Sequence, residues 1–339
     1  MTMRTKILQA GRAIEVPVGG TILDAALQEN IAYPHGCRSG RCGSCKSRLI
    51  SGEVSLLPHT RFSLTEEERA KGLILACRAQ PLTDCTVAWL GDDEEDQADH
   101  PIRTYRARIV ALDDVTHDIR RVILSVEDNE AVAFAAGQYA QVTFDGVPAR
   151  DYSMANQPGK PHLEFHIRRV PGGATSEHVA HGLAIGDSVT VRGPLGSSFL
   201  REHHTGPILA VAGGSGLAPI KSIVETALVR GLRQPIHLYF GARTERDLYL
   251  VEHFNLMANA YDNLTFIPVL SEEQRSERFR SGFVTDAIAE DLSDLDGWKA
   301  YMAGPPAMID AAGPLLQARG IRGEDIHADV FFTPEQVKT

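Results

Sequence analysis

Five cysteines, all in the first quarter of the chain, constrain this sequence more than any other feature. Cys37, Cys42 and Cys45 are separated by four residues and then two, and Cys77 follows the apolar run Leu73-Ile74-Leu75-Ala76. The pattern matches the spacing at which four thiolates hold a [2Fe-2S] cluster. Such a loop must bend tightly enough for backbone N–H groups to face sulfur, and Gly36, Gly40 and Gly43 permit that, because glycine accepts positive φ without steric penalty. A structural zinc site or a set of reduced core cysteines is the alternative, although zinc loops usually pair one C-x2-C with another. The fifth cysteine, Cys85, sits in the alternating segment Cys-Thr-Val-Ala-Trp and reads as a small buried hydrophobe.

At 339 residues the chain is too long for a single core of ordinary size, and three domains suit its motifs. Residues 1–91 carry 11 basic against 8 acidic side chains, whereas the whole chain is net −10. That balance argues against a nucleic-acid binder held through phosphates. No apolar run reaches the 18 or more residues of a membrane span, and MTMRTKILQAGR lacks the apolar stretch of a signal peptide, so no membrane association and a cytoplasmic location are expected.

The stretch Asp92 to Asp99, followed by His100-Pro101, is too acidic to anchor a core and reads as a linker over 92–101. Before it, Thr21 can cap a short helix beginning ILDAALQ, with Asp24 three residues on. From 104 to about 200, runs such as YRARIVAL, RRVILSV and LEFHIRRV alternate and are broken by Gly, Pro and Asp, the pattern of an antiparallel barrel. From Pro207, apolar strands such as ILAVA and PIHLYFGA alternate with helical periodicity, as in βαβ units on a parallel sheet. The expected divisions are 1–91, the linker 92–101, a barrel over 102–204 and a nucleotide domain over 205–339.

Residues 1–91 resemble a plant-type ferredoxin, which implies a β-grasp fold with Cys37, Cys42, Cys45 and Cys77 as cluster ligands. Arg150-Asp151-Tyr152-Ser153 after a strand, and Pro171-Gly172-Gly173-Ala174-Thr175-Ser176 ahead of a helix, supply in order a cation, an aromatic, a hydroxyl and open helix amides. They resemble the flavin domain of the ferredoxin-NADP reductase superfamily. By that resemblance Arg150 contacts the pyrophosphate, Tyr152 lines the flavin ring, Ser153 lies near N5, Gly173 and Ser176 open the phosphate-binding helix, and His166 and Arg168 line the flavin mainly with backbone.

Ile208–Ala212 runs into Gly213-Gly214-Ser215-Gly216 and a helix, a turn that can set a pyrophosphate on helical N–H groups. With Gly241-Ala242-Arg243 and Ala303-Gly304-Pro305 in sequence, it resembles the superfamily's pyridine-nucleotide domain. That resemblance brings Gly213, Gly214, Gly216, Arg243 and Gly304 to the nucleotide and Phe331, in His-Ala-Asp-Val-Phe, over the flavin. Where the family frequently has a cysteine before the Gly-Pro turn, this chain has Ala303, so a thiol contact to the nicotinamide is absent.

The order ferredoxin, flavin, nucleotide, together with RDYSMA, FHIRRVPGG, TGPILAVAGGSGLAP and HADVF, resembles the reductases of multicomponent aromatic-ring oxygenases, above all naphthalene-dioxygenase-like Rieske systems. The resemblance implies FAD rather than FMN, since relatives with FMN carry the ferredoxin last. It implies NAD(P)H as donor, NADH favoured and NADPH the alternative, and a Rieske-type ferredoxin or terminal oxygenase as acceptor. No side chain need act as acid, base or nucleophile. Two other readings stay open: the reductase of a diiron monooxygenase, phenol-hydroxylase-like, and a redox-sensing protein. Arg38, Arg41, Lys46 and Arg48 around the cysteines suggest a basic docking surface for an acidic acceptor.

Overall fold

The computed structural model describes residues 2–61, 63–90, 100–127, 131–273 and 278–332. The chain divides into two compact units, residues 1–97 with 328–330, and residues 98–327 with 331–339. Apart from His100 and Pro101, the acidic linker lies outside the described residues.

In the first unit a five-stranded sheet runs, in spatial order, Arg12–Pro17, Thr2–Ile7, Cys85–Trp89, Lys46–Ser51 and Leu73–Leu75. The first strand of the sequence and the last lie parallel, Thr5 beside Cys85 and Ile7 beside Val87, with antiparallel partners outside them. This is the β-grasp arrangement. Helix Ile22–Gln28 crosses the sheet because Ile22, Leu23, Ala25 and Ala26 form one apolar stripe. Thr21 caps it, its hydroxyl accepting from the Asp24 amide at 3.2 Å, as the sequence indicates. Ile7, Val16, Leu75 and Val87 are buried in one core with the helix's Leu23, each contributing roughly 1.5–3 kcal/mol of transfer free energy.

The second unit contains two sheets. Strands Arg150–Ser153, Tyr139–Phe144, Ser188–Leu195, Arg103–Asp114, Ile119–Val126 and His162–Arg168 form an antiparallel sheet in that spatial order. A bridge between Met154 and Phe165 brings its two ends together, so the sheet is a nearly closed barrel. Alternation makes this possible: Tyr105, Ala107 and Ile109 face the interior while Arg106 and Arg108 between them face outward.

The parallel sheet follows, ordered Arg280–Ser281, Leu264–Leu270, Ile236–Ala242, Ile208–Gly213, Lys299–Gly304 and Ile326–Val330. Every residue of Ile208–Gly213 and of Lys299–Gly304 is buried, as expected for strands covered on both faces. The first strand of this sheet, Ile208–Gly213, lies inside it. Successive strands build outward on one side through Ile236–Ala242 and Leu264–Leu270, and the chain then returns to add Lys299–Gly304 on the other. The reversal creates a topological switch point at the carboxyl ends of Ile208–Gly213 and Lys299–Gly304, where open α/β sheets bind their ligands. Among the described residues no helix is long and apolar enough to cross a membrane.

Candidate functional site

The cysteine loop is built as its spacing demands. Arg38 at φ 53°, Gly40 at φ 75° and Gly43 at φ 79° take left-handed conformations, which curl the chain around sulfur. Gly40 is also sterically fixed, because a Cβ there would stand 2.8 Å from carbons of Arg78 and His59. Backbone N–H groups point inward: Arg41 donates to Cys37 Sγ at 3.3 Å, Ser39 to the same sulfur at 3.5 Å, Cys37 to Cys42 Sγ at 3.3 Å and Cys77 to Cys45 Sγ at 3.5 Å. Cys77 reaches the loop because Ala76 donates to the Cys45 carbonyl at 3.0 Å. Hydrogen bonding from Cys42, supported by the Ser39 and Arg41 amides, pulls the Cys37 thiol down to about 5. Its neighbour Cys45 and burial push Cys77 up.

Four sulfurs with amide donors aimed at them suit a cluster of iron and sulfide, whose charge such dipoles stabilise. Cys85 lies apart on its strand, its thiol donating to the Thr83 carbonyl at 3.1 Å.

The basic surface expected around the loop requires correction. Arg38 bonds to Asp24 at 3.0 Å and Lys46 to Glu68 at 2.6 Å, so two of the four cations are neutralised by carboxylates. Both carboxylates are remote in sequence, on helix Ile22–Gln28 and helix Glu66–Ala70.

On the barrel, Arg150, Tyr152 and Ser153 share one strand, paired so that Tyr152 lies opposite Ala140. Arg150 is exposed, Ser153 is buried, and burial pushes the Tyr152 hydroxyl up to about 12. Helix Ala174–His181 begins at Gly173 without any side-chain cap, so its first amides are available to an anion. The Thr175 hydroxyl donates to the Pro148 carbonyl at 2.7 Å, which draws this helix start to the segment leading into Arg150. A cation and an uncapped helix end, 23 residues or more apart in sequence, thus converge as a pyrophosphate site needs. Ser176 lies in the first turn of this helix, and its hydroxyl accepts from the Val170 amide at 3.0 Å and secures the loop. The His166 ring is buried and points at Glu164 Oε1 (2.8 Å) and the Tyr249 hydroxyl (3.0 Å), consistent with a backbone role on the flavin side.

At the switch point the glycines are required by close approach. A Cβ on Gly216 would meet the Ala303 carbonyl oxygen at 2.1 Å, and one on Gly213 would meet Met308 Sδ at 2.8 Å and Pro305 Cδ at 2.9 Å. The turns 213–216 and 303–306 therefore pack backbone to backbone. Arg168 reaches this place from the barrel, its Nη1 2.9 Å from where a Gly214 Cβ would stand. Phe331 is fixed to the same place, its amide donating to the Gly304 carbonyl at 2.9 Å.

Arg243 is held at the end of its strand by Asp247 at 3.2 Å, with Asp118 at 4.0 Å, and Arg168 Nε bonds Asp118 at 2.7 Å. Although burial works against it, hydrogen bonds from Thr244 and the charge of Arg243 hold Asp247 below the usual carboxylate range. His117, Asp118 and Asp247 stand close enough to suggest a metal, but guanidinium groups already occupy both carboxylates.

One cluster escaped the sequence reading. Lys221, on helix Leu217–Val229, lies 3.2 Å from Glu164 and 3.3 Å from Glu225, and it donates to the Ala155 carbonyl at 3.1 Å. Only the Lys221–Glu225 pair, four residues apart on a helix, carried a sequence signal.

Comparison with known proteins agrees with this geometry. Residues 5–82 match the 2Fe-2S iron-sulfur cluster binding domain, 106–199 the oxidoreductase FAD-binding domain and 210–313 the oxidoreductase NAD-binding domain. The reductase component of the naphthalene 1,2-dioxygenase/salicylate 5-hydroxylase systems of a Ralstonia species is 42% identical over 94% of this chain and 95% of its own. The chain belongs to the reductase components of multicomponent oxygenases. The reductase component of phenol 2-monooxygenase from a Pseudomonas species is 35% identical, over 98% of this chain and 95% of its own. A crystal structure of an Amycolatopsis cytochrome P450 reductase superposes with TM-score 0.76 at 38% identity, covering 97% and 99% of the two chains. The reductase is thus an NAD(P)H-dependent oxidoreductase with a [2Fe-2S] cluster and FAD, serving an oxygenase or ferredoxin partner.

Proposed function

We propose that this reductase takes electrons from NADH and delivers them, through FAD and its own [2Fe-2S] cluster, to a Rieske-type ferredoxin or to the terminal component of an aromatic-ring-hydroxylating dioxygenase in the cytoplasm. The observation that carries the reading is the convergence, at one switch point, of the Gly213–Gly216 and Gly304 turns with Arg168 from the barrel and Phe331. Bound FAD supplies the step that converts a two-electron donor into single electrons for the cluster.

The protein's part is placement. Arg150 and the amides from Gly173 to Ser176 hold the flavin pyrophosphate, Tyr152 and Ser153 border its ring, and the backbone of His166 and Arg168 lines it. The turn 213–216 carries the dinucleotide pyrophosphate, Gly304 lets the nicotinamide approach, and Phe331 covers the flavin until it does. Cys37, Cys42, Cys45 and Cys77 hold the cluster. The divisions 1–91, 92–101, 102–204 and 205–339 are kept as the domain boundaries.

The charge at the nucleotide end of the sheet supports NADH. Arg243 is already balanced by Asp247 and Asp118, and the adjacent strand leads into Glu272 and Glu273, the former donating its amide to the Arg243 carbonyl at 2.9 Å. A phosphate dianion meets cations there that carboxylates already match.

Anaerobic titration with NADH, following flavin and cluster absorbance together, tests the whole reading. Bleaching of both chromophores at near-stoichiometric NADH is expected; flavin bleaching with an unchanged cluster would remove the cluster from the path. The phenol 2-monooxygenase relative keeps a second reading, in which the acceptor is a diiron hydroxylase. Cluster re-oxidation rates with a Rieske ferredoxin against a diiron hydroxylase separate the two.

A further inference from the structure

Helix Leu217–Val229 starts directly after the turn 214–216, and its second turn is tied to the barrel at two points. The Lys221 ammonium bonds the Ala155 carbonyl at 3.1 Å and Glu164 at 3.2 Å, and the Ser222 hydroxyl donates to the Asn156 carbonyl at 2.7 Å. Ala155 and Asn156 follow the strand Arg150–Ser153, and Glu164 precedes His166 by two residues. One helix turn therefore grips both barrel segments to which flavin contacts are assigned, five residues after the turn assigned to the dinucleotide.

The grip uses buried charge. Lys221 and Glu225 are 8% and 6% exposed, and Ser222 is fully buried. Burying an ammonium between carboxylates seldom adds net stability over well-packed apolar side chains of similar volume. What such an array does supply is directional fixation, since an ammonium satisfied by three oxygens tolerates little sliding between the surfaces that carry them.

We propose that Lys221 and Ser222 are positioning residues for hydride transfer, fixing the register of the nucleotide-binding turn against the flavin-bearing strands. Neither touches the reacting atoms. The inference rests on the functional reading above: if wild-type flavin is not bleached by NADH, that reading fails, whereas this one fails only when the wild type is bleached and the variants behave identically.

Two holoprotein variants test it. Ser222→Ala removes one neutral bond from a small site and should retain fold and FAD. The triple variant Glu164→Gln, Lys221→Met, Glu225→Gln removes the whole array without leaving a buried unpaired charge. Stopped-flow bleaching by NADH should slow at saturation about 3-fold in the first and 10-fold or more in the second, with half-saturating NADH changed less than 3-fold. Hydrogen exchange should show NAD⁺ protecting amides 154–157 in the wild type, with that protection lost in the variants while amides 214–217 remain protected. Saturating rates within 2-fold of wild type in the variants that retain FAD, or protection of 154–157 that persists in them, would overturn the proposal.

Discussion

Gly216 and Ala303 touch through their backbones: a Cβ on Gly216 would stand 2.1 Å from the Ala303 carbonyl oxygen and 2.8 Å from the Gly304 amide nitrogen. No side-chain rearrangement relieves such a contact, so the two switch-point turns must separate to admit a methyl group. Gly216→Ala is expected to lower kcat/KM for NADH by 10-fold or more while FAD and iron content stay at wild-type levels. Measured against an artificial acceptor, an unchanged kcat/KM would mean that the turn plays no part in nucleotide binding.

The cysteines divide cleanly by surroundings. Cys77 donates its backbone amide to the Cys45 sulfur and sits against that residue, whereas the Cys85 thiol donates to the carbonyls of Thr83 and Glu53. Cys77→Ala should abolish the cluster's visible absorbance and remove nearly all of the bound iron. Cys85→Ala should keep the full spectrum and cost about 1 kcal/mol or somewhat more, as for loss of a small buried group. Loss of the cluster in Cys85→Ala would contradict the ligand assignment.

Acid should weaken the second unit in two stages. Burial lowers the pKa of His166, and of His327, whose ring stacks on Tyr301 at 5.2 Å and whose buried Nε2 has no hydrogen-bond partner among the described residues. Both are neutral in the fold, so the stability they contribute is complete above the unfolded-state value near 6.5 and declines as pH falls below it. Glu164, although burial opposes its charge, is held down to about 2 by His166 and Lys221, so its contribution declines from about 4.5 towards 2. His327→Phe should flatten the fall in melting temperature between pH 7 and 5 and leave the lower stage in place. An unchanged slope would assign the acid sensitivity elsewhere.

The cofactor cradles were legible because each is local: a cysteine spacing, a strand followed by a glycine turn, a capped or uncapped helix start. Of the three glycines read as loop formers from their places around the cysteines, Gly40 and Gly43 take positive φ and Gly36 does not. What the sequence hid is pairing across distance. Asp24 against Arg38 and Glu68 against Lys46 pair two of the four cations around the cysteines with carboxylates. Glu164 lies 57 residues from Lys221, and nothing in the local pattern of either announces the other. Motif position also gives no hint that the Ser176 hydroxyl serves its own loop, accepting from the Val170 amide, which needs an acceptor once the chain folds back.

The proposed preference for NADH rests on charge balance at the end of strand Ile236–Ala242. Arg243 offers a guanidinium, but Asp247 lies 3.2 Å from it, and the Glu245 amide is bonded by Glu273 at 2.7 Å. NADPH brings two further negative charges into a region where carboxylates already match the cations, and at an effective dielectric near 20 each uncompensated contact at ~4 Å costs on the order of a few kcal/mol before screening. A preference for NADH of 10-fold or more in kcat/KM is therefore expected at low salt, and it should narrow as ionic strength rises. Replacing Glu272 and Glu273 with glutamine should raise kcat/KM for NADPH several-fold and leave NADH within 2-fold, because the adenosine 2′-hydroxyl carries no charge. Arg243→Ala should weaken both nucleotides. If the glutamine pair changes NADH and NADPH alike, the carboxylates act on the fold of the loop rather than on the phosphate, and the selectivity must be sought elsewhere along the same crevice.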